Sequence, residues 1–233
     1  MRLIMFKLIQ MNKFDTKYLP YFPIFGLGLY IIAFTFSASA YPGGSINYPH
    51  ANGYSFYHNF LCDTMNPITQ SGIINNARFL AIISHLILSF TMISFFYILP
   101  KIFDVKNRNT TLIAYFGIAA MTVFIFIYTE YHDLIVTITG VLGAIALIPF
   151  FIELQHFKNK GLKRLAYLCY ALSIIVFFIF ETKIGLYYLP FLQKITFVFD
   201  AYWVIWSCII VINKNKTSLK LVRQNITEVL RKP

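Results

Sequence analysis

Residues 190–212 read PFLQKITFVFDAYWVIWSCIIVI, and this stretch decides the fold. As a helix it would be about 35 Å long, which is enough to cross a hydrocarbon core of about 30 Å. One carboxylate, Asp200, lies inside it. A charged side chain at that depth is costly, so it normally faces a protein interior or a water-filled cavity and indicates a functional site.

The rest of the chain repeats this pattern. Of its 233 residues, 58% are hydrophobic and 12% are charged, against about a quarter charged in soluble domains. The short alternating strands of an outer-membrane barrel are absent. The sequence therefore predicts an all-α polytopic membrane protein, one integral membrane domain over residues 1–233. The six predicted spans are about 20–40, 77–99, 111–129, 133–154, 165–181 and 190–212.

The basic residues predict the orientation of these spans. Lys and Arg concentrate in segment 1–19, in connectors 100–110 and 155–164 and in the tail 213–233, whereas the connector 41–76 has none. By the positive-inside rule, both termini are cytoplasmic and the protein is a multi-pass protein of the plasma (inner) membrane. The net charge of +11 therefore predicts contact with anionic membrane lipids and not with nucleic acid.

Three segments carry additional expectations. The first span ends in Ala38-Ser39-Ala40, which resembles a signal-peptidase site, and cleavage there would leave five spans. Segment 1–12 is either an interfacial helix or a frayed lead into the first span. The tail 214–231 predicts a short amphipathic surface helix.

The connector 41–76 is long for a compact membrane protein, which favours an ordered segment over an idle one. Pro42, Gly43 and Gly44 predict a tight turn after the first span. The aromatic stretch 54–61 suits a structure that lies at the membrane interface or caps the bundle. A membrane-facing plug without chemistry is the alternative.

Polar residues gather in the outer half of the predicted bundle. Span 6 carries a polar stripe at steps of three and four residues, and span 2 carries another that runs inward from its outer end. Asp200 needs a partner, for which Lys194, Arg78 and His85 are the candidates. The predicted ligand-binding residues are Asn59, Asp63, Arg78, His85, Gln193, Lys194 and Asp200.

Three chemistries fit parts of this set. Metal-dependent hydrolysis needs three protein ligands, and the candidates are His58, Asp63, His85, His132 and Asp200, although no metal-ligand spacing is present. Ser89, His85 and Asp200 could form a serine triad, and Asp200 with His85 could serve proton-coupled transport. No motif is specific, so the sequence leaves open whether the protein is an enzyme and predicts no cofactor and no metal site.

Two motifs carry a resemblance. Tyr41-Pro-Gly-Gly44 and Asn59-Phe-Leu-Cys-Asp63, just ahead of the second span, resemble a group of bacterial six-span proteins known as domain of unknown function 998. That family is distantly similar to the Frag/DRAM/Sfk-type membrane proteins, in which a Ser/Cys-Asp motif precedes the second span. The resemblance implies the six-span layout and brings no established activity.

The expected function follows from the one-sided polar residues and the aromatic connector above them. The sequence predicts a polar cavity, open to the outside and roofed by residues 41–76, that binds a lipid headgroup or a small polar ligand. Membrane lipids are the expected partners, and no protein partner is predicted. The alternatives are a membrane-embedded, metal-dependent hydrolase and a non-catalytic accessory subunit.

Overall fold

The computed structural model describes the backbone of residues 17–231 and the side chains of residues 17–218. The predicted segment 1–12 lies outside the described residues. The described part of the chain forms helices joined by connectors and contains no strand. The helices are α1 (Phe22–Ser39), α2 (Arg78–Ile98), α3 (Arg108–Phe124), α4 (His132–Gln155), α5 (Lys160–Thr182) and α6 (Leu189–Arg231).

Five helical stretches in the described part are long and apolar enough to cross a membrane. They contain α1, α2, α4, α5 and α6. Helix α3 has only 17 residues, or about 25 Å at the usual helical rise. The fold is therefore all-helical with five candidate membrane-spanning helices, as expected for a multi-pass membrane protein.

Helix α3 differs from the predicted span 111–129 at both ends. It begins earlier because Asn107 and Thr110 form a reciprocal capping box, each side chain bonding the other's backbone N–H at 3.0 Å. It ends at Phe124, after which the chain continues in tight turns with Phe126 N bonded to Val123 O at 3.1 Å. The aromatic and β-branched residues 123–129 have low helix propensity, which favours this early end.

Helix α6 corrects the prediction for the tail. Residues 214–231 do not form a separate surface helix, because α6 runs unbroken for 43 residues from Leu189 to Arg231. No Gly or Pro interrupts the sequence after Pro190 until Pro233, so nothing local ends the helix. At about 65 Å it is roughly twice as long as a hydrocarbon core is thick.

The main core takes buried residues from all six helices. Leu27, Phe95, Phe150 and Val204 are almost fully buried there. The Trp203 ring lies between Phe95 and Phe150, with centroid distances of 5.3 and 5.5 Å. These edge-on aromatic contacts fix how α6 meets α2 and α4.

Helices α4 and α5 meet mainly through side chains. Thr137 Oγ1 donates to Glu181 Oε1 at 2.7 Å, and the Phe177 ring fills the space where Gly140 lacks a side chain. Nearer their other ends, Phe151 and Tyr167 stack at 5.3 Å. The face of α4 that carries the polar residue Thr137 and then the small residue Gly140 thus packs against α5.

The connectors alternate between two ends of the bundle. At one end, Asn47 Nδ2 donates to Tyr187 O at 2.9 Å and joins the first connector to the fifth. We call this the connector end. At the other, the basic end, Lys214 Nζ donates to Asp104 Oδ1 at 2.7 Å and joins α6 to the second connector.

Candidate functional site

The connector 41–76 folds into a compact cap on the connector end. Its first turn needs glycine, because Gly43 and Gly44 have φ angles of 134° and 84°, and a side chain on either would collide with neighbouring backbone. Gly44 N donates to Ala51 O at 2.7 Å and closes the turn. Gly53 N also donates to Pro42 O at 3.0 Å, and Gly43 forms an antiparallel bridge with Asn52, so residues 42–44 run alongside residues 51–53 and the chain turns at 49–50. The tight turn predicted at Pro42, Gly43 and Gly44 is therefore wrong.

Asn59 organises the interior of this cap. Its Nδ2 donates to Gly44 O at 2.7 Å and to Asp63 Oδ2 at 2.8 Å, while its Oδ1 accepts from Ser55 N at 2.9 Å. Asp63 Oδ2 also accepts from Phe60 N at 2.9 Å. Asn59 is 1% exposed and Asp63 is 5% exposed, so these polar groups are closed off from solvent.

Helix α6 holds the cap through Lys194 and Gln193. Lys194 Nζ donates to Asn59 O and, at 2.9 Å, to Pro190 O, and the rings of Tyr54 and Phe56 lie 5.5 and 5.4 Å from it. Gln193 Oε1 accepts from Leu61 N at 3.1 Å. A buried ammonium needs such carbonyl and aromatic partners.

Burial dominates the electrostatics of the cap. It raises the pKa of Asp63 above its ordinary value, although hydrogen bonds from Asn59 and Phe60 and the charge of Lys194 act in the opposite direction. Burial, followed by the nearby Asp63 carboxylate, raises the pKa of Cys62 to about 12. The thiol is therefore protonated at neutral pH and is a poor nucleophile.

Arg78 belongs to the same cap. Its Nε donates to Met65 O at 3.1 Å and fixes the 3₁₀ turn Asp63–Met65 against the start of α2. Asn75 supports this turn, since its Nδ2 donates to Thr64 O at 2.8 Å. Five of the predicted ligand-binding residues thus lie together, namely Asn59, Asp63, Arg78, Gln193 and Lys194.

The other two predicted residues lie elsewhere. His85 Nε2 lies 2.8 Å from Phe124 O, the last carbonyl of α3, and 3.2 Å from Ser89 Oγ. Asp200 lies beside the Cys169 thiol of α5 and pairs with none of Lys194, Arg78 and His85, the partners considered from the sequence. Asp200 follows Lys194 by six residues, about 9 Å along α6 and about 120° around it, which separates it from the cap.

These placements bear on the candidate chemistries. Ser89 touches His85, but Asp200 joins neither, so the three do not form the serine triad considered from the sequence. Among the described side chains, no three His, Cys, Asp or Glu residues converge as a metal site would require. The five candidate metal ligands His58, Asp63, His85, His132 and Asp200 are therefore not brought together.

One open groove lies in the cap itself, away from the predicted ligand-binding residues. A mostly apolar groove of about 560 Å³ is formed within residues 45–58. Ser55 and His50 line it, and in the described part of the chain the Ser55 hydroxyl and the His50 imidazole make no hydrogen bond. His58 also lines it, with its Nδ1 buried and without a partner among the described residues.

Sequence reasoning missed His50 and Ser55 because no spacing links them. The aromatic stretch 54–61 was the only local signal, and it pointed to the connector and not to a groove. No family model, curated protein or solved structure matches the chain. The resemblance to the six-span family therefore stays a prediction.

Proposed function

We propose that this chain is a six-span inner-membrane protein that binds a lipid headgroup or a small polar ligand in the groove of its outward-facing cap. The resemblance to domain of unknown function 998 is part of this proposal. The groove replaces the polar cavity that the sequence predicted, because the residues expected to line that cavity are bonded within the protein.

The proposed topology includes α3 as the sixth span. Glu153 of α4 accepts from the side chains of Asn107 and Asn109 at 2.8 and 2.7 Å, so α3 begins at the basic end. The connector that follows α3 packs against the cap, since Ile127 and Met65 share one buried cluster. The bilayer would then be crossed by α3 and the turns after it, and the positive-inside rule puts the basic end and both termini in the cytoplasm.

The observation that carries the proposed function is the groove with its unpartnered polar groups. Its volume of about 560 Å³ falls in the usual range for ligand pockets, roughly 300–1,000 Å³, which are mostly apolar with a few polar groups. Among the residues that line this mostly apolar groove, His50 and Ser55 supply hydrogen-bond donors and acceptors that have no partner in the described part of the chain. The buried Asn59–Asp63–Lys194 network then positions the cap and does not touch the ligand.

The hydrolase alternative has less support, because the histidines and acids that it would need lie in separate places.

A groove-filling substitution tests the proposal. Ala51 lines the groove, so Ala51→Trp should occupy it without removing a hydrogen-bonding side chain. Ala40→Trp is the matched control, because Ala40 is exposed at the connector end but does not line the groove. Molecules retained by the detergent-purified proteins are identified by mass spectrometry after denaturation.

We expect the wild type and Ala40→Trp to retain a lipid or small polar molecule that Ala51→Trp loses. If all three proteins carry the same molecules in the same amounts, the groove does not bind a ligand. Matched melting temperatures of the two variants show that the cap has not simply unfolded.

A further inference from the structure

An exposed aromatic surface adjoins the groove. It is formed by the cap and the start of α6, and we call it the aromatic cluster: Tyr48, Phe56, Tyr57, His58, Tyr187 and Phe191. Tyr57 is 60% exposed, Phe56 is 51% exposed and Tyr48 is 47% exposed. Exposed aromatic rings at the end of a membrane protein suit contact with the membrane–water interface or with a ligand held there.

The rings form one continuous surface. The His58 ring lies 4.5 Å from that of Tyr48 and 5.9 Å from that of Tyr187. Tyr57 stacks on Phe191 at 5.3 Å and lies 6.5 Å from His58. The hydroxyls of Tyr48 and Tyr187 are 3.1 Å apart, so polar groups edge the aromatic surface.

The groove and the aromatic cluster share Tyr48 and His58 and contain no Asp, Glu, Lys or Arg. Their polar groups are hydroxyls, amides and imidazoles. The ammonium of Lys194, beneath Phe56, is already bonded to two carbonyls. No Lys or Arg is therefore free in the groove or the cluster to pair with a phosphate, whereas the hydroxyls, amides and imidazoles match the hydroxyls of a neutral polar ligand.

We infer that the ligand is a neutral sugar ring, an inference that rests on the proposed function. A pyranose has a face of C–H groups that packs on an aromatic ring and an edge of hydroxyls that donate and accept hydrogen bonds. Exposed Tyr rings supply the first contact. His50, Ser55 and the paired tyrosine hydroxyls supply the second. The sugar is either the headgroup of a glycolipid or a soluble glycoside.

Tyr48→Leu tests the stacking contact, because leucine keeps apolar area but removes the ring and its hydroxyl. Tyr131→Leu is the matched control, since Tyr131 is 62% exposed in the connector after α3 and is not part of the aromatic cluster. The full-length proteins are compared for binding to methyl β-glucoside, and to vesicles of phosphatidylglycerol or phosphatidylethanolamine with or without monoglucosyldiacylglycerol.

We expect the sugar to bind, with roughly 3- to 10-fold weaker binding by Tyr48→Leu and no change in Tyr131→Leu. Binding to the glucoside identifies a soluble source, whereas binding only to the glycolipid vesicles identifies a headgroup.

Binding to a phospholipid without sugar, blocked by Ala51→Trp, overturns the sugar inference and leaves the proposed function standing. If no probe binds and Ala51→Trp changes nothing, both fail. Equal sugar binding by Tyr48→Leu and wild type would also overturn the inference.

Discussion

Asp63 is a carboxylate that neutral donors hold almost completely away from solvent. Its two hydrogen bonds come from Asn59 Nδ2 and Phe60 N, and no cation lies within ion-pair distance among the described residues. Burial without a paired charge disfavours ionisation, which is why the pKa of Asp63 is raised. The cap therefore contains an ionisable carboxyl, that of Asp63, whose role is structural.

The raised pKa predicts a pH-dependent stability. Because the pKa of Asp63 in the folded state lies above its unfolded value of about 4, its stabilising contribution is complete below pH 4 and is lost as the pH rises through the folded pKa. Asp63→Asn keeps an acceptor for both donors and does not ionise. We therefore expect its melting temperature to fall less than that of the wild type over this rise in pH.

Glu130→Gln is the control, because Glu130 is exposed and makes no side-chain hydrogen bond or ion pair with the described residues. Its melting temperature should follow that of the wild type at every pH, as measured by thermal unfolding in detergent. The same pH dependence in Asp63→Asn and in the wild type would show that Asp63 does not contribute it.

The end of helix α3 depends on a residue of another helix. The carbonyl of Phe124 is the last of α3, and Ile127 N donates to it at 3.2 Å. His85 of α2 lies within hydrogen-bond distance of it, and its ring packs edge-on against that of Phe124 at a centroid distance of 4.9 Å. His85, a polar residue within the second span, thus supports the last carbonyl of the neighbouring helix α3.

Replacing this histidine tests the explanation. His85→Leu removes the second group within hydrogen-bond distance of this carbonyl, which should cost about 0.5–1.5 kcal/mol and lower the melting temperature by roughly 1–6 °C. His85→Gln retains an N–H donor on a side chain of similar reach and should recover part of the loss. A leucine variant as stable as the wild type would contradict the capping role.

At the scale of the whole molecule, apolar runs of about 20 residues predicted the membrane-spanning helices. The sequence could not give the partner of Asp200, because the polar stripe on one helix does not identify which neighbour it meets. The end of α3 also differs from the prediction, although the aromatic and β-branched residues 123–129 carry a local signal for it. The groove escaped prediction because backbone turns shape it from residues without a motif.

The central claim is that the groove opens on the outer side of the membrane, opposite the basic end. Single-cysteine labelling tests this most directly, in a background where Cys62, Cys169 and Cys208 are replaced by alanine. Ala51→Cys reports the groove, and Lys216→Cys, exposed on α6, reports the basic end. In spheroplasts, a membrane-impermeant maleimide should label the Ala51→Cys variant at once and the Lys216→Cys variant only after lysis. Labelling of the Lys216→Cys variant in intact spheroplasts, with protection of the Ala51→Cys variant, would contradict the account.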